Sequence, residues 1–487
     1  MCEDVQIMRR FRRTTLITVF CLAALAGLGL SREISLTPSG WYLLAIAPCL
    51  LLIKRKNVTA LILVVVLGAG LGLWRGDIYM QKLGELKSLT GQNVTIEATA
   101  TRDAVYAGAT QLEFTANHAR LFQGQALETG GGELAGSFKI SGFGEPMVYR
   151  GDRVRISGKL YPMRGANQAR IAYAQLKRTG LDSSWINNLT RHLSAGMQTA
   201  LPEPNSSFGL GLLIGQRNTL PSELTNQLIM VGLVHIVAVS GYNLTILVRA
   251  MARLRFGSKY HRLLASLALI SIFILMTGFS ASIVRAAIVS VLGLWAWYYG
   301  RKIRAVLILA FTAAVTALFN PFYIWGDPGW YLSFLAFFGV LIISPMVVSK
   351  LFKRQPKLLI SVAFDTLAAE VMTLPLIMAM FGQLSLVGLL TNVLVVPLIP
   401  FAMLLSTVAA GAGMLVPAMA GWFAWPANLL LTYILDIVRL FSAIPSIFLR
   451  RSISMASMLY FYALVLLVLA AVHKQRAKLK TAKITHI

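Results

Sequence analysis

The stretch Gly215-Gln-Arg-Asn-Thr-Leu-Pro-Ser-Glu-Leu-Thr-Asn-Gln-Leu-Ile-Met-Val-Gly-Leu-Val-His-Ile-Val-Ala-Val-Ser-Gly-Tyr-Asn-Leu-Thr-Ile-Leu-Val248 decides how this chain is read. It begins polar, and Pro221 followed by Glu223 suits a helix start: proline costs nothing in the first turn, and a carboxylate favours the positive end of the dipole. From Leu228 to Val248 the run is long enough, at about 1.5 Å per residue, to cross a bilayer core. His235, Ser240, Gly241, Tyr242 and Asn243 nevertheless sit near its middle. Hydrocarbon gives such groups no partners, so they are expected to face protein or water. On an ideal helix His235, Ser240, Tyr242 and Asn243 fall within roughly 160° of arc. One polar face on a membrane helix suggests a pathway; the alternative is hydrogen bonding to neighbouring helices.

Composition sets the class. Of 487 residues, 56% are hydrophobic and only 13% charged, too few charges to cover a soluble protein of this size, so much of the surface is expected to meet lipid. The net charge of +26 reads mainly as basic loops obeying the positive-inside rule rather than as a nucleic-acid surface. Cys2, Cys21 and Cys49 all lie near the N-terminus without a Cys-x-x-Cys, so neither a disulfide framework nor a cysteine metal site follows.

The basic clusters then orient the spans. Arg9, Arg10, Arg12 and Arg13 precede an apolar run at 14–30, read as a retained anchor because more spans follow closely. A short span at 41–53 ends at Lys54-Arg-Lys56, and a third at 58–74 exits to the outer side. Between Arg75 and Leu193 the period changes. Val94-Thr-Ile-Glu-Ala, Gln111-Leu-Glu-Phe, Gly136-Ser-Phe-Lys-Ile, Arg153-Val-Arg-Ile-Ser and Ile171-Ala-Tyr-Ala-Gln-Leu alternate apolar with polar residues, as half-buried strands do. Five short strands punctuated by glycine and proline suggest a small OB-type barrel, which gives no function by itself. Phe208-Gly-Leu-Gly-Leu-Leu-Ile is too short to span and reads as interfacial or re-entrant. Arg249 to Arg262, Arg301-Lys-Ile-Arg304, Lys350 to Lys357 and the tail Lys474 to Lys483 mark the inside again. Proline and glycine break 384–420 into pieces that resist assignment.

The expected architecture is an α-helical polytopic membrane protein of about ten to twelve spans, some of them broken, with an inserted OB-like β-barrel outer domain. The parts are a three-span anchor at 1–75, the outer domain at 76–193, a membrane domain at 194–473 and a basic cytoplasmic tail at 474–487.

Four motifs carry a resemblance. His235-Ile-Val-Ala-Val-Ser-Gly-Tyr-Asn243 resembles the His-Leu-Leu-Ala-Val-Ser-Gly-Leu-His signature of the ComEC family of bacterial DNA-uptake channels, with Asn243 where that pattern has histidine. Thr277-Gly-Phe-Ser-Ala-Ser-Ile-Val-Arg-Ala286, then Gly329-Trp-Tyr-Leu-Ser-Phe-Leu-Ala336 with Tyr331 in place of glutamine, match in order. Leu374-Pro-Leu, Phe381-Gly-Gln and Leu389-Leu-Thr-Asn-Val-Leu-Val-Val-Pro397 complete the set, and Gly151-Asp-Arg-Val154 is similar to a strand of the family's outer domain. The resemblance implies transport of single-stranded DNA across the cytoplasmic membrane during transformation. Its implied partners are the bilayer, an outer DNA receptor, a separate nuclease and a cytoplasmic ATP-driven motor; oligomeric state stays open. Many relatives continue into a metallo-β-lactamase-like domain bearing His-x-His-x-Asp-His. This chain has no such motif, so strand degradation is expected to lie with another protein.

The residues expected to line a path are His235, Ser240, Gly241, Tyr242, Asn243, Ser282, Arg285, Ser333, Gln383, Asn392 and Pro397. Arg285 with Asp365 or Glu370 is a candidate buried ion pair, either structural or part of the path. Asn392 and Pro397 resemble unwound transporter segments. No catalytic residue, cofactor or metal ligand is expected: Ser240 lacks the glycines of a nucleophile elbow, and phosphate-loop and His-Glu-x-x-His motifs are absent. The competing expectation is a secondary transporter of a smaller anionic solute or lipid. Reporter fusions at Gly131 and Gly257 test the topology: they should report opposite sides of the membrane, and a shared side would contradict it.

Overall fold

In the computed structural model the described residues are 11–34, 58–106, 111–123, 126–127, 133–134, 136–163, 167–180, 184–216, 219–237, 244, 248, 251, 257–278, 281–301, 303–352, 356, 358–445 and 447–484. The long elements run α1 (Arg13–Leu30), α2 (Val58–Ser88), β1 (Asn93–Ala100), β2 (Val105–Tyr106), β3 (Leu112–Gln123), β4 (Ala126–Leu127), β5 (Phe138–Phe143), β6 (Arg153–Pro162), β7 (Ala169–Gly180), α3 (Trp185–Ala200), α4 (Asn205–Ile214) and α5 (Ser222–Met230). They continue with α6 (Lys259–Thr277), α7 (Ala281–Tyr298), α8 (Ala305–Phe319), α9 (Pro328–Leu351), α10 (Leu358–Phe381), β8 (Gln383–Ser385), α11 (Gly388–Val395), α12 (Ile399–Leu415), α13 (Ala420–Ser442), β9 (Phe448–Arg450) and α14 (Met455–Ile484). Among the described residues seven helical segments are long and apolar enough to cross a membrane, and four shorter apolar helices accompany them. The short span expected at 41–53 lies outside the described residues.

The chain divides into two compact units, one of residues 1–224, 235–334 and 398–435, the other of 225–234, 335–397 and 436–487. The first holds the sheet domain. Its alternating pattern does what the period predicts: Val94, Ile96, Ala98 and Ala100 of β1 point inward while their neighbours stay partly exposed. β1 pairs with β6, β6 with β7, β7 with β5, β5 with β3, and β3 again with β1, so the ladder returns to its first strand. Of these described pairings only β5–β7 is parallel. This is a small OB-like barrel, filled by Phe138, Ile140, Ile156, Ile171 and other buried apolar side chains.

In the same unit α1 lies against α2 through small residues. A Cβ on Gly72 would sit 2.1 Å from the carbonyl oxygen of Ala24, and one on Gly27 would sit 2.1 Å from that of Ala69. Gly68, Gly72 and Gly76 repeat every fourth residue, so they share one face and let the two backbones approach closely. The helix α2 also runs on past Arg75 to Ser88. All ten residues of α4 are buried, so of the interfacial and re-entrant readings only the second is compatible with a helix enclosed by protein. Its Asn205 Nδ2 donates to Asn428 Oδ1 at 2.6 Å and Thr432 Oγ1 at 2.8 Å, satisfying the amide where water is excluded.

One expectation is corrected. The run from Leu228 is not one helix: α5 stops at Met230, and Gly232 takes φ +77° before a short helix at Val234–Val237. Glycine adopts that left-handed backbone without the steric cost a Cβ brings, and the turn ends the helix inside an apolar run. A second departure is the π-helical turn Gly339–Ile343 within α9.

The close α1–α2 contact generates a stability prediction. Gly72→Leu should lower the thermal unfolding midpoint of the detergent-purified protein, by the ~1–3 kcal/mol of an overpacked contact. Gly84→Ala, on the same helix with nothing within 4 Å of its added Cβ, should leave it unchanged or slightly raised. Equal midpoints for Gly72→Leu and the parent would show that the helices do not meet there.

Candidate functional site

The residues singled out in the sequence separate into two polar groups, one in each unit. In the first unit, Ser282 and Arg285 lie one turn apart on α7 and so share a face. Arg285 Nη2 donates to Ser282 Oγ at 3.3 Å. Ser333 of α9 brings its hydroxyl to 3.5 Å from the same Ser282 Oγ. The ring of Phe334 lies 5.4 Å from the Arg285 guanidinium carbon, within reach of a cation–π contact. Arg285 is only 8% exposed, on an otherwise apolar helix. A permanent cation, two hydroxyls and an aromatic face are thus gathered where solvent is scarce. Such a group can hold an anionic oxygen, or it can fix helix packing.

The last turn of α6, which precedes this group in the chain, is held from the sheet domain. Arg150 donates from Nη1 to the carbonyl of Met276 and from Nη2 to that of Leu275 at 2.7 Å, capping the last turn of α6. Those carbonyls have no partner within the helix, and a cation complements the negative end of its dipole. Gly278, at φ +89°, then ends the helix. Nothing in the sequence pattern marks Arg150 for this role, because an arginine after a turn in a strand-rich domain reads as a solvated charge.

In the second unit, Glu370 of α10 and Asn392 of α11 meet: Asn392 Nδ2 donates to Glu370 Oε1 at 2.9 Å. Thr391 Oγ1 donates to the carbonyl of Val231 at 2.8 Å, beside the turn at Gly232. Asn392 is 3% exposed, yet its Oδ1 is buried without a hydrogen-bond partner, as is Ser385 Oγ. A carbonyl oxygen and a hydroxyl without partners beside a carboxylate make an under-satisfied polar cluster. A Cβ at Gly388 would stand 3.3 Å from Glu370 Oε1, so glycine keeps that space open. Asp365, a turn and a half earlier on α10, accepts from Ser344 Oγ at 2.5 Å.

The remaining expectations distribute as follows. Pro397 lies in the 3-10 turn Val396–Leu398 between α11 and α12 and is half-buried. Gln383 starts β8, paired with Arg450 of β9. His235 is exposed, while Ile236 and Val237 beside it are buried. Ser240, Gly241, Tyr242 and Asn243 lie outside the described residues. Of the candidate ion pair, Arg285 belongs to the first unit and Asp365 and Glu370 to the second, each with the local partners just given. Sequence reasoning missed Ser385, Gly388 and Thr391; the Gly-x-x-Thr-Asn spacing at 388–392, which stacks small and polar groups on a short helix, was the available signal.

Helices long and apolar enough to cross a membrane, with an OB-like barrel between them in sequence, define a multi-pass membrane protein. A model of the competence protein family matches residues 212–476, more than half of the chain. The chain belongs to that family. Two relatives are ComE operon protein 3 of Bacillus subtilis (strain 168) and competence protein ComA of Neisseria gonorrhoeae. The first is 25% identical over 254 residues, 51% of this chain and 32% of that protein. The second is 25% identical over 386 residues, 71% of this chain and 52% of that protein. The matches thus span about a third and a half of those relatives' lengths. No solved structure matches the chain.

The Glu370–Asn392 pair carries its own test. Asn392→Leu takes the donor from Glu370 and should destabilise the purified protein by ~1–3 kcal/mol, read as a lowered unfolding midpoint. Glu370→Leu combined with Asn392→Leu should recover most of that loss, because removing both partners leaves nothing unsatisfied. A double variant as unstable as the sum of two singles would show that the bond does not form.

Proposed function

We propose that this protein is the membrane channel through which single-stranded DNA crosses the cytoplasmic membrane during natural transformation. The observation that carries the reading is Arg285: a guanidinium buried on an apolar helix, with the hydroxyls of Ser282 and Ser333 beside it. Each nucleotide brings one negative phosphate, and a phosphate loses its hydration on entering a low-dielectric path. A fixed cation and neutral hydroxyl donors offset part of that loss without binding so tightly that the strand stalls. Membership of the competence protein family, and relatives named for competence, support the substrate. In this reading the chain is a conduit and not an enzyme. The sheet domain lies outside the cytoplasm and both termini inside. An outer DNA receptor, a nuclease and a cytoplasmic ATP-driven motor are separate proteins.

The second reading, a secondary transporter of a smaller anionic solute or lipid, is favoured by the helix breaks at Gly232 and at the 3-10 turn Val396–Leu398. One experiment separates the two. Arg285→Gln and Asn243→Leu are expressed in the native host, and membrane abundance and import of labelled DNA are measured together. Abundance should stay near that of the parent while import falls roughly tenfold or more, equivalent to at least ~1.4 kcal/mol on the rate-limiting passage. Undiminished import at normal abundance in both variants would remove these residues from the DNA path and leave the transporter reading in place.

A further inference from the structure

In the second unit, α10 and α14 lie side by side, with Tyr462 Oη donating to the carbonyl of Met372 at 2.9 Å. The two-stranded ladder β8–β9 joins the C-terminal end of α10 to the approach to α14. Basic residues flank the opposite ends of both helices: Lys350, Lys353, Arg354 and Lys357 precede α10, and Lys474, Arg476, Lys478, Lys480 and Lys483 fall in the distal part of α14 and beyond its apolar stretch. By the positive-inside rule those clusters are cytoplasmic, and the ladder is on the other side. Cations are depleted on that side of short membrane loops. Arg450 and Arg451 are therefore against the bias, and both are exposed.

Register brings Arg450 to a partner that suits an anion. Gln383 and Arg450 stand directly opposite each other in the antiparallel ladder, so their side chains leave the same face. With Phe381, Gly382 and Ser452 they line an open cleft of about 540 Å³. No carboxylate lines it, and among the described residues Arg450 makes no ion pair. A guanidinium, a carboxamide and a hydroxyl offer convergent donors, and Phe381, half exposed, adds an aromatic face. That set matches a phosphodiester: charge-assisted donors for the oxygens and an aromatic surface for what the phosphate carries.

We propose that the cleft formed by Phe381, Gln383, Arg450 and Ser452 is a phosphodiester-binding site on the non-cytoplasmic face of the membrane. Two molecules present that chemistry there: the backbone of an incoming DNA strand, a source that rests on the channel reading, and the headgroup of a phospholipid. The full-length protein in phosphatidylcholine nanodiscs is titrated with a labelled single-stranded oligothymidylate over a series of salt concentrations. In parallel, retention of phosphatidylglycerol by the detergent-purified protein is measured by native mass spectrometry. If the strand is the ligand, Arg450→Ala should weaken oligonucleotide binding severalfold and flatten the log–log salt dependence by about 0.7, because one fewer phosphate is neutralised. Arg450→Lys should keep the slope while binding more weakly, because the forked geometry is gone. If the lipid is the ligand, oligonucleotide binding is unaffected and retained phosphatidylglycerol falls in Arg450→Ala and Gln383→Ala. No binding of oligonucleotide by the parent protein would count against the channel reading alone, and the lipid arm would still decide the site. Parent-like lipid retention in both variants, with either parent-like oligonucleotide binding or none in the parent, would overturn the site.

Discussion

A hydrocarbon bilayer offers no hydrogen bonds, so every polar group carried into it must find a partner within the protein. This constraint governs each unit. In the first, Asn205 on the wholly buried helix α4 is answered by Asn428 and Thr432, and Trp330 Nε1 by Thr316 Oγ1 at 3.0 Å. In the second, Glu370 is answered by Asn392. Where two helices need only approach, small residues suffice, as along Gly68, Gly72 and Gly76. Groups left incompletely satisfied, such as Asn392 Oδ1 and Ser385 Oγ, stand out against this background, because a buried acceptor without a donor costs stability and persists where something else gains from it.

The sheet domain obeys the ordinary aqueous rule, and it explains a motif that sequence alone leaves opaque. In Gly151-Asp-Arg-Val154, Gly151 turns the chain at φ +90° and Asp152 is fully buried. The Asp152 carboxylate accepts from the backbone N–H of Tyr149 and lies 3.8 and 3.9 Å from Arg178 and Arg191. The turn so fixed carries Arg150, whose side chain caps α6 and whose carbonyl accepts from Asn187 Nδ2. One buried carboxylate therefore positions the residue through which the barrel holds the last turn of α6. The barrel acts here as a brace, whatever else its surface binds.

Much of the architecture was legible because the signals are long and redundant. Five strands announce themselves by alternation, and spans such as 14–30 and 58–74 by sheer apolar length. The failures have local causes. Val231-Gly-Leu233 gives no warning of a break, since glycine is common within membrane helices and only backbone geometry shows the positive φ. The segment 384–420 was unreadable because Pro397, Pro400 and Pro417 interrupt it; the structure resolves it into β8, α11, a 3-10 turn and α12. For the candidate site, residue type was informative and grouping was not. Ser282 and Arg285 could be placed together by helical spacing, and Glu370 with Asn392 could not, because their approach depends on how α10 and α11 fold back.

The central claim is that the polar group around Arg285 touches DNA in transit. A photoreactive side chain placed at Ser282 or Ser333 in the living cell, with a side chain at the exposed apolar position Leu464 as the control, tests it directly. Irradiation during uptake of labelled DNA should attach the label to the protein at Ser282 and Ser333 and not at Leu464. Efficient uptake with no attachment at either serine would contradict a DNA path through this group.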